Sequence, residues 1–151
     1  MKDLFILMPI SDVSKTRAII DTMSNLPLCR DNVYITLLHI FRKAPAEEEL
    51  MGKKCTEEEI YKCMNMLEQA KNKLVESGFK SDHIELKLTT DFYPTVTEGI
   101  IDQFNKSEKK FDLVMIRRRK MSKAEEFLVG DVSVKLIRAL EGTAVLVLKP
   151  S

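Results

Sequence analysis

The stretch LFILM at residues 4–8 is an unbroken apolar run that ends at Pro9. A run of this length predicts a strand whose two faces are both covered. Residues 11–14 are rich in the serine and aspartate that favour the beginning of a helix. Apolar residues then recur at helical spacing over residues 18–26, until Pro27 ends the pattern. The sequence therefore begins with a buried strand followed by a helix.

The alternation of strand and helix continues to the end of the chain. Such an order predicts a sheet of parallel strands joined by helical crossovers, because parallel strands cannot be joined by tight turns. We expect an α/β fold, a five-stranded and mostly parallel sheet with helices on both faces, in one domain spanning residues 1–151. The strands are predicted at residues 4–8, 33–41, 84–88, 111–116 and 144–148, and the helices within 18–26, 56–78, 96–104 and 130–140.

Two details of this pattern are more specific. Residues 44–54 are polar without a clear period, which predicts a loop with at most a helical turn. Thr56 to Glu59 form a capping box that predicts the start of the second helix. Residues 84–88 alternate strictly between apolar and charged, which predicts a half-exposed strand at an edge of the sheet.

Composition excludes several classes of function. Lysine and arginine number 24 and aspartate and glutamate 23, and this balance argues against binding of a polyanion over the whole surface. No apolar stretch reaches the roughly 20 residues of a membrane span, and the apolar run before Pro9 is shorter than we expect of a signal peptide. The three cysteines, Cys29, Cys55 and Cys63, form no CxxC pair and are expected to be reduced thiols. We therefore expect a cytoplasmic protein.

Motifs for the commonest catalytic and phosphate-binding sites are absent from the sequence. It contains no GxxxxGK[ST], GxGxxG, GxSxG or HExxH pattern. His39 lies inside an apolar strand, where a hydrogen-bonded structural histidine is the expected state, and His83 is expected to be solvated in a polar turn. With only two histidines a metal site is not expected, and we predict that the chain is not an enzyme.

Five segments resemble the universal stress protein family, in the same order as in that family. The segments are LMP followed by SDVS at residues 7–14, TLLHI at 36–40, FDLVMI at 111–116, FLVGDVSVKLIR at 127–138 and TAVLVLK at 143–149. Together they extend over nearly the whole chain. The resemblance implies a Rossmann-like fold of the adenine nucleotide alpha hydrolase type, a role in the stress response, and binding of ATP or another adenine nucleotide.

The family's nucleotide pattern is altered in this sequence. Nucleotide-binding members carry G-x-x-G, nine residues, then G-[S/T]. Here Arg117 and Lys120 occupy the two earlier glycine positions, and Asp131 occupies the serine or threonine position. The family's aspartate falls on Ser11, with Asp12 next to it. The resemblance assigns a cofactor-binding role to the positions of Pro9, Ser11, Asp12, Ile40, Ile116, Arg117, Lys120, Gly130, Asp131, Val132 and Ser133.

These replacements predict weak or absent binding of ATP through the usual loop. Glycines let the backbone approach phosphates, which Arg117 and Lys120 would crowd, and Asp131 would add negative charge where a helix start otherwise attracts anions. Three interpretations of the basic run at residues 117–120 remain open: a solvated loop, an altered anion or nucleotide site, and a nucleic-acid patch. The last is weakened because the loop has no aromatic residue for base stacking.

Two main functional hypotheses follow. The leading one is a non-catalytic, homodimeric stress-response module with weak or absent ATP binding and a possible protein partner. The alternative is an adenine-nucleotide-binding protein that holds adenosine near Pro9, Ile40 and Ile116, while Arg117 and Lys120 contact the phosphates. A slow nucleotide hydrolase is disfavoured, because no positioned base is visible. We expect the dimer to form through residues 144–148, an apolar edge strand without charge until Lys149.

Overall fold

A computed structural model describes residues 2–11, 13–40, 45–89, 93–118, 122–124 and 132–149, with backbone alone for 13–15 and 45–56. Within these ranges, strands and helices alternate along the chain as the sequence predicts. The elements are β1 Leu4–Pro9, α1 Val13–Asn25, β2 Val33–Ile40, α2 Pro45–Glu76, β3 Ile84–Thr89, α3 Val96–Lys106, β4 Leu113–Arg117, α4 Val132–Ala139 and β5 Ala144–Leu148.

The five strands form one sheet in the order β3-β2-β1-β4-β5. Every neighbouring pair is parallel, which confirms the predicted fold class. β1 lies at the centre, as its fully apolar sequence requires, and its register against β2 begins at Leu4 opposite Val33. β3 forms one edge, as its alternating sequence predicts, and β5 forms the other.

Two hydrophobic clusters, one on each face of the sheet, build the core. Ile6, Met8 and Ile10 point from β1 and its end into the cluster beneath α1 and α2. Leu7 points into the other cluster, with Leu136 of α4 among its buried members. Each fully buried aliphatic side chain of this kind contributes about 1.5–3 kcal/mol. The alternation along β1 thus fixes which helices lie on which face.

The predicted start of the second helix is wrong. α2 begins at Pro45 and continues for 32 residues, so Thr56 lies inside the helix and the loop predicted for residues 44–54 is helical from Pro45 onward. The segment 46–54 is rich in alanine, glutamate, leucine, methionine and lysine, all strong helix formers, and proline suits the first helical position. High helix propensity therefore decided the structure of a segment that has no apolar period.

The end of α2 agrees with the prediction that Gly78 terminates it. Gly78 adopts a φ of +102°, a backbone conformation that side-chain-bearing residues rarely adopt. The Phe79 amide donates to the Leu74 carbonyl at 3.1 Å and the Gly78 amide to the Val75 carbonyl at 3.0 Å, the two bonds of a Schellman motif. Phe79 is buried immediately afterwards.

The expectation of a solvated His83 is wrong. Its side chain is half-buried, and its ring stacks on Tyr34 with 4.0 Å between centroids. Nδ1 lies 3.3 Å from the Val33 carbonyl oxygen. His83 is the last residue of the short 3-10 turn Ser81–His83 at the amino end of β3, where its contacts join that strand to β2.

Cys29 and Cys63 are free thiols, in agreement with the sequence-based expectation, and the side chain of Cys55 lies outside the described part. Cys63 lies half-buried on α2, where burial raises the pKa of its thiol and the charge of Glu59 raises it further. Among the residues with described structure, no helix combines the length and apolarity that crossing a membrane requires.

Candidate functional site

The direction of the chain reverses between β1 and β4. From β1 the chain proceeds outward through β2 to β3, whereas from β4 it proceeds in the opposite direction to β5. In open α/β sheets this reversal is a topological switch point, and ligands bind in the crevice outside the carboxyl ends of the two strands. The candidate site is therefore the carboxyl ends of β1 and β4.

The two strands separate at this point. β1 pairs with β4 at Ile6 and Leu7, the last pair being Leu7 with Val114. The pairing of β1 with β2 continues to Pro9, and that of β4 with β5 continues to Arg117. Over their last residues β1 stays paired with β2 and β4 with β5, while β1 and β4 are no longer paired with each other. A crevice therefore opens between β1 and β4 at this point.

Two helices begin beside this crevice. α1 begins at Val13, directly after β1. α4 begins at Val132 and runs back toward the amino end of β5, so its first turn also lies at the carboxyl ends of the strands. The amino ends of helices carry free N–H groups and a partial positive charge, which favour an anion or a polar ligand.

The apolar residues that the resemblance assigns to the nucleoside come together. Ile40 is the last residue of β2 and Ile116 the last but one of β4. Both belong to the same buried cluster, each with 5% of its surface exposed. Pro9 is half-buried at the end of β1, and by strand alternation it lies on the same face. The three residues form an apolar wall at the carboxyl ends of β2, β1 and β4.

The described polar candidates lie at the same ends of the strands, but they are not all on the face of the apolar wall. Ser11 is exposed beyond the end of β1, and Arg117 is half-buried at the end of β4, on the face that carries α1. In α4, Val132 is exposed and Ser133 is buried. Asp12, Lys120, Gly130 and Asp131 lie outside the described residues, so their assignment to the site stays a prediction.

The close packing of Gly99 was not predicted from the sequence, whereas the predicted hydrogen-bonded state of His39 is confirmed. Gly99 of α3 packs on Ile40 so closely that a Cβ atom at Gly99 would lie 2.7 Å from Ile40 Cγ2. His39 Nδ1 lies 2.9 Å from the carbonyl oxygen of Ile10, the residue before Ser11. A glycine inside a helical pattern is a signal for close packing. The partner of His39, by contrast, is a backbone atom that no sequence pattern identifies.

A hydrogen-bonded network fixes the segment that enters α3. The buried Tyr93 hydroxyl donates to Asp102 Oδ2 at 2.7 Å and accepts from Gln103 Nε2 at 2.9 Å. Lys106 Nζ lies 2.8 Å from the same Asp102 oxygen. The hydrogen bond from Lys106, followed by that from Tyr93, lowers the pKa of Asp102 below its usual range. The network ties Tyr93, a member of the buried cluster that contains Ile40, to α3.

A separate cleft of about 260 Å³ lies between β3 and the carboxyl end of α3. Lys109 and Glu85 form an ion pair of 2.7 Å at its rim, so these charges neutralise one another. Its lining residues reach the turn before β4, which lies at the amino ends of the strands, whereas the crevice lies at their carboxyl ends. Within the described ranges, no group of three histidine, cysteine or acidic side chains is placed to hold a metal ion.

Comparison with known proteins identifies the fold. No protein-family model matches the sequence, and no curated protein is significantly similar to it. Solved structures do match. A universal stress protein in complex with cAMP is 19% identical, covers 98% of each chain and gives a TM-score of 0.64. The universal stress protein from Archaeoglobus fulgidus in complex with dAMP is 14% identical, with 99% of this chain and 100% of that chain covered and a TM-score of 0.65. A universal stress protein family member from Burkholderia pseudomallei is 12% identical, with coverages of 95% and 94% and a TM-score of 0.58.

Proposed function

We propose that this chain, which has the universal stress protein fold, is a non-catalytic regulatory module of the stress-response type that binds the nucleoside part of an adenine nucleotide weakly. The observation that carries the proposal is the separation of β1 from β4 beyond Leu7, beside the first turns of α1 and α4. The ligands named for two structural neighbours, cAMP and dAMP, support an adenine nucleotide as the class of ligand.

The apolar wall and the phosphate loop make different contributions in this proposal. Pro9, Ile40 and Ile116 offer an apolar contact for a base, which gains affinity by leaving water. The phosphates would meet Arg117 where the family's pattern has a glycine, and Asp131 in the sequence position directly before Val132. We infer that phosphates add little to the affinity, because favourable and unfavourable charges both lie near them.

The proposal predicts that AMP and ATP bind with similar, weak affinities. We expect dissociation constants of about 1 mM for both nucleotides, equivalent to roughly −4 kcal/mol. Titration of ¹⁵N-labelled protein, followed by NMR, measures this range and identifies the perturbed amides, which should include those of Ser11 and Ile116. The absence of any perturbation at 10 mM AMP would refute nucleotide binding at the crevice.

A second candidate function would be indicated by a different result. Arg117 is half-buried at the end of β4, on the face where α1 begins, and its guanidinium could contact phosphate from that side. ATP binding at micromolar affinity, at least a hundredfold tighter than AMP, would favour a nucleotide-binding protein that uses Arg117 and Lys120. Substitution of Arg117 with glutamine should then remove most of this preference for ATP.

The absence of catalysis is also part of the proposal. His39 Nδ1 is engaged by a backbone carbonyl, and the described residues at the crevice are apolar, hydroxyl-bearing or basic. General-base activation of a water molecule needs a base within hydrogen-bond reach of it. We therefore expect ATP to remain intact during prolonged incubation with the purified protein.

We further propose that the chain forms a homodimer through the β5 edge. The Ala144 amide donates to the Asp112 carbonyl, and the Leu148 carbonyl accepts from the Arg118 amide, so alternate residues of β5 face β4. Val145 and Val147 therefore direct their backbone groups outward, at the open edge. Pairing with a second copy would satisfy these groups and close the edge.

The dimer proposal predicts that a backbone change at the edge weakens association. Val145 and Val147 pack against the buried cluster, so replacing them with lysine would also unfold the chain. Val147→Pro removes the outward N–H without removing a hydrogen bond between β4 and β5, and edge strands tolerate proline. The control Val147→Ala accounts for the loss of valine packing. We expect sedimentation to show a dimer for the wild type and for the control Val147→Ala, and at least a tenfold weaker dimer for Val147→Pro. A wild-type monomer at micromolar concentration would overturn the proposal.

A further inference from the structure

We propose that His39 is a positioning residue that holds the turn after β1 in the form required by the nucleoside; this inference rests on the proposed function. His39 does not contact the ligand in this scheme. Its ring nitrogen Nδ1 lies 2.9 Å from the carbonyl oxygen of Ile10, on the chain that leads from β1 to Ser11.

Ile10 is held through both of its backbone groups. Its amide donates to the Leu38 carbonyl at 2.8 Å, which extends the pairing of β1 with β2 one residue beyond Pro9. Its carbonyl accepts from His39, the next residue of β2. Leu38 and His39, two successive residues of β2, therefore both form hydrogen bonds with Ile10. These bonds fix the point at which the chain leaves the sheet.

The ring nitrogen of His39 that donates to Ile10 follows from the geometry. A carbonyl oxygen only accepts hydrogen bonds, so Nδ1 carries the proton that it donates. The side chain is half-buried, and it belongs to the face of β2 that carries Leu37 and the α1 and α2 helices. Partial exclusion of water from such a bond strengthens it and keeps the ring from exchanging this partner for solvent.

The position of the turn matters for the ligand. Ser11 follows Ile10 directly, and α1 begins two residues later at Val13. Displacement of the Ile10 carbonyl would move Ser11 and the free N–H groups of the first turn of α1 together. Because binding groups on loops need support from a second layer of contacts, a shift of about 1 Å is enough to reduce affinity severalfold or more.

Three variants separate positioning from simple stabilisation. His39→Phe keeps the ring and removes the donor, whereas His39→Asn places an amide N–H close to the position of Nδ1. His83→Phe is a matched control, because His83 Nδ1 also contacts a backbone carbonyl, that of Val33, but at the amino end of the sheet. The control retains the stacking of an aromatic ring on Tyr34.

The experiment measures AMP affinity by NMR titration, together with the melting temperature and amide hydrogen exchange of the ligand-free chains. We expect His39→Phe to raise the dissociation constant for AMP about tenfold, and His39→Asn to restore it to within about threefold of the wild type. His83→Phe should lower the melting temperature to a similar extent as His39→Phe and leave AMP affinity unchanged.

Each other outcome counts against a specific claim. Unchanged AMP affinity in His39→Phe, or an equal loss in His83→Phe, would overturn the positioning role. A wild-type chain that binds no AMP would instead overturn the proposed function. In that case the exchange data still test the contact between His39 and the turn, because the Ile10 amide, which donates to the Leu38 carbonyl, should exchange at least tenfold faster in His39→Phe and at the wild-type rate in His83→Phe.

Discussion

Replacement of Arg30 with methionine should lower the free energy of unfolding by about 3 kcal/mol. The guanidinium of Arg30 joins the ends of two helices. Nη2 donates to the Ser24 carbonyl at 2.7 Å, in the last turn of α1, and Nε donates to the Ser77 carbonyl at 2.8 Å, just after α2. Methionine replaces the apolar stem of arginine but has no donor, so both half-buried carbonyls would lose a charged partner.

Two further contributions add to the effect of Arg30. The carboxyl ends of helices carry partial negative charge, and a cation placed there contributes about 0.3–1 kcal/mol per helix. The guanidinium carbon also lies 5.1 Å from the centre of the Phe79 ring, within the range of a cation–π interaction. Arg30 therefore stabilises the same corner through hydrogen bonds, helix dipoles and an aromatic face.

Thermal and urea denaturation measure this effect. For a chain of this size, we expect Arg30→Met to lower the melting temperature by about 6–12 °C. Arg30→Lys should be intermediate, because a single ammonium group does not reproduce the planar fork that reaches both carbonyls. The control Arg17→Met changes an exposed residue of α1 and should cost less than about 0.5 kcal/mol. Equal losses of stability in Arg30→Met and Arg17→Met would contradict a role of Arg30 in joining the ends of α1 and α2.

The fold was predictable because its strands carry their signal locally. The apolar run at residues 4–8 and the alternating run at 84–88 differ visibly, and one became the central strand and the other an edge. The start of α2 was missed because the sequence offered two competing signals, a capping box at Thr56 and high helix propensity upstream of it. The role of Arg30 in joining α1 and α2 could not be predicted, since its acceptors are carbonyls whose position depends on where the two helices end.

The candidate site was predictable only in part. Pro9, Ile40 and Ile116 stand at strand ends, and strand ends in an alternating α/β sequence meet at one edge of the sheet. The separation of β1 from β4 is a property of pairing between strands that are about 100 residues apart in sequence. A pattern along the chain contains no information on where such a ladder stops, so the crevice required the structure.

Replacement of Gly99 with valine should lower the free energy of unfolding by about 3 kcal/mol, because α3 lies directly on Ile40. A Cβ atom at Gly99 would lie 2.7 Å from Ile40 Cγ2 and 3.0 Å from Cδ1. Ile40 has 5% of its surface exposed and sits in a packed cluster, so it has little room to yield. Gly99→Ala should cost less, since the gain in helix propensity, about 1 kcal/mol, offsets part of the overlap.

A double-mutant cycle identifies the overlap with Ile40 as the cause. Ile40→Ala alone should cost about 2–4 kcal/mol through the cavity that it creates. In the double variant the valine side chain at position 99 fills part of that cavity, so the combined loss should be smaller than the sum of the two single losses by about 1–2 kcal/mol. Asn105→Val, at an exposed position of the same helix, controls for the propensity of valine and should change stability by less than about 0.5 kcal/mol. Strictly additive losses, measured by urea denaturation, would show that the loss in Gly99→Val does not arise from overlap with Ile40, and that this contact does not set the spacing of helix and sheet beside the crevice.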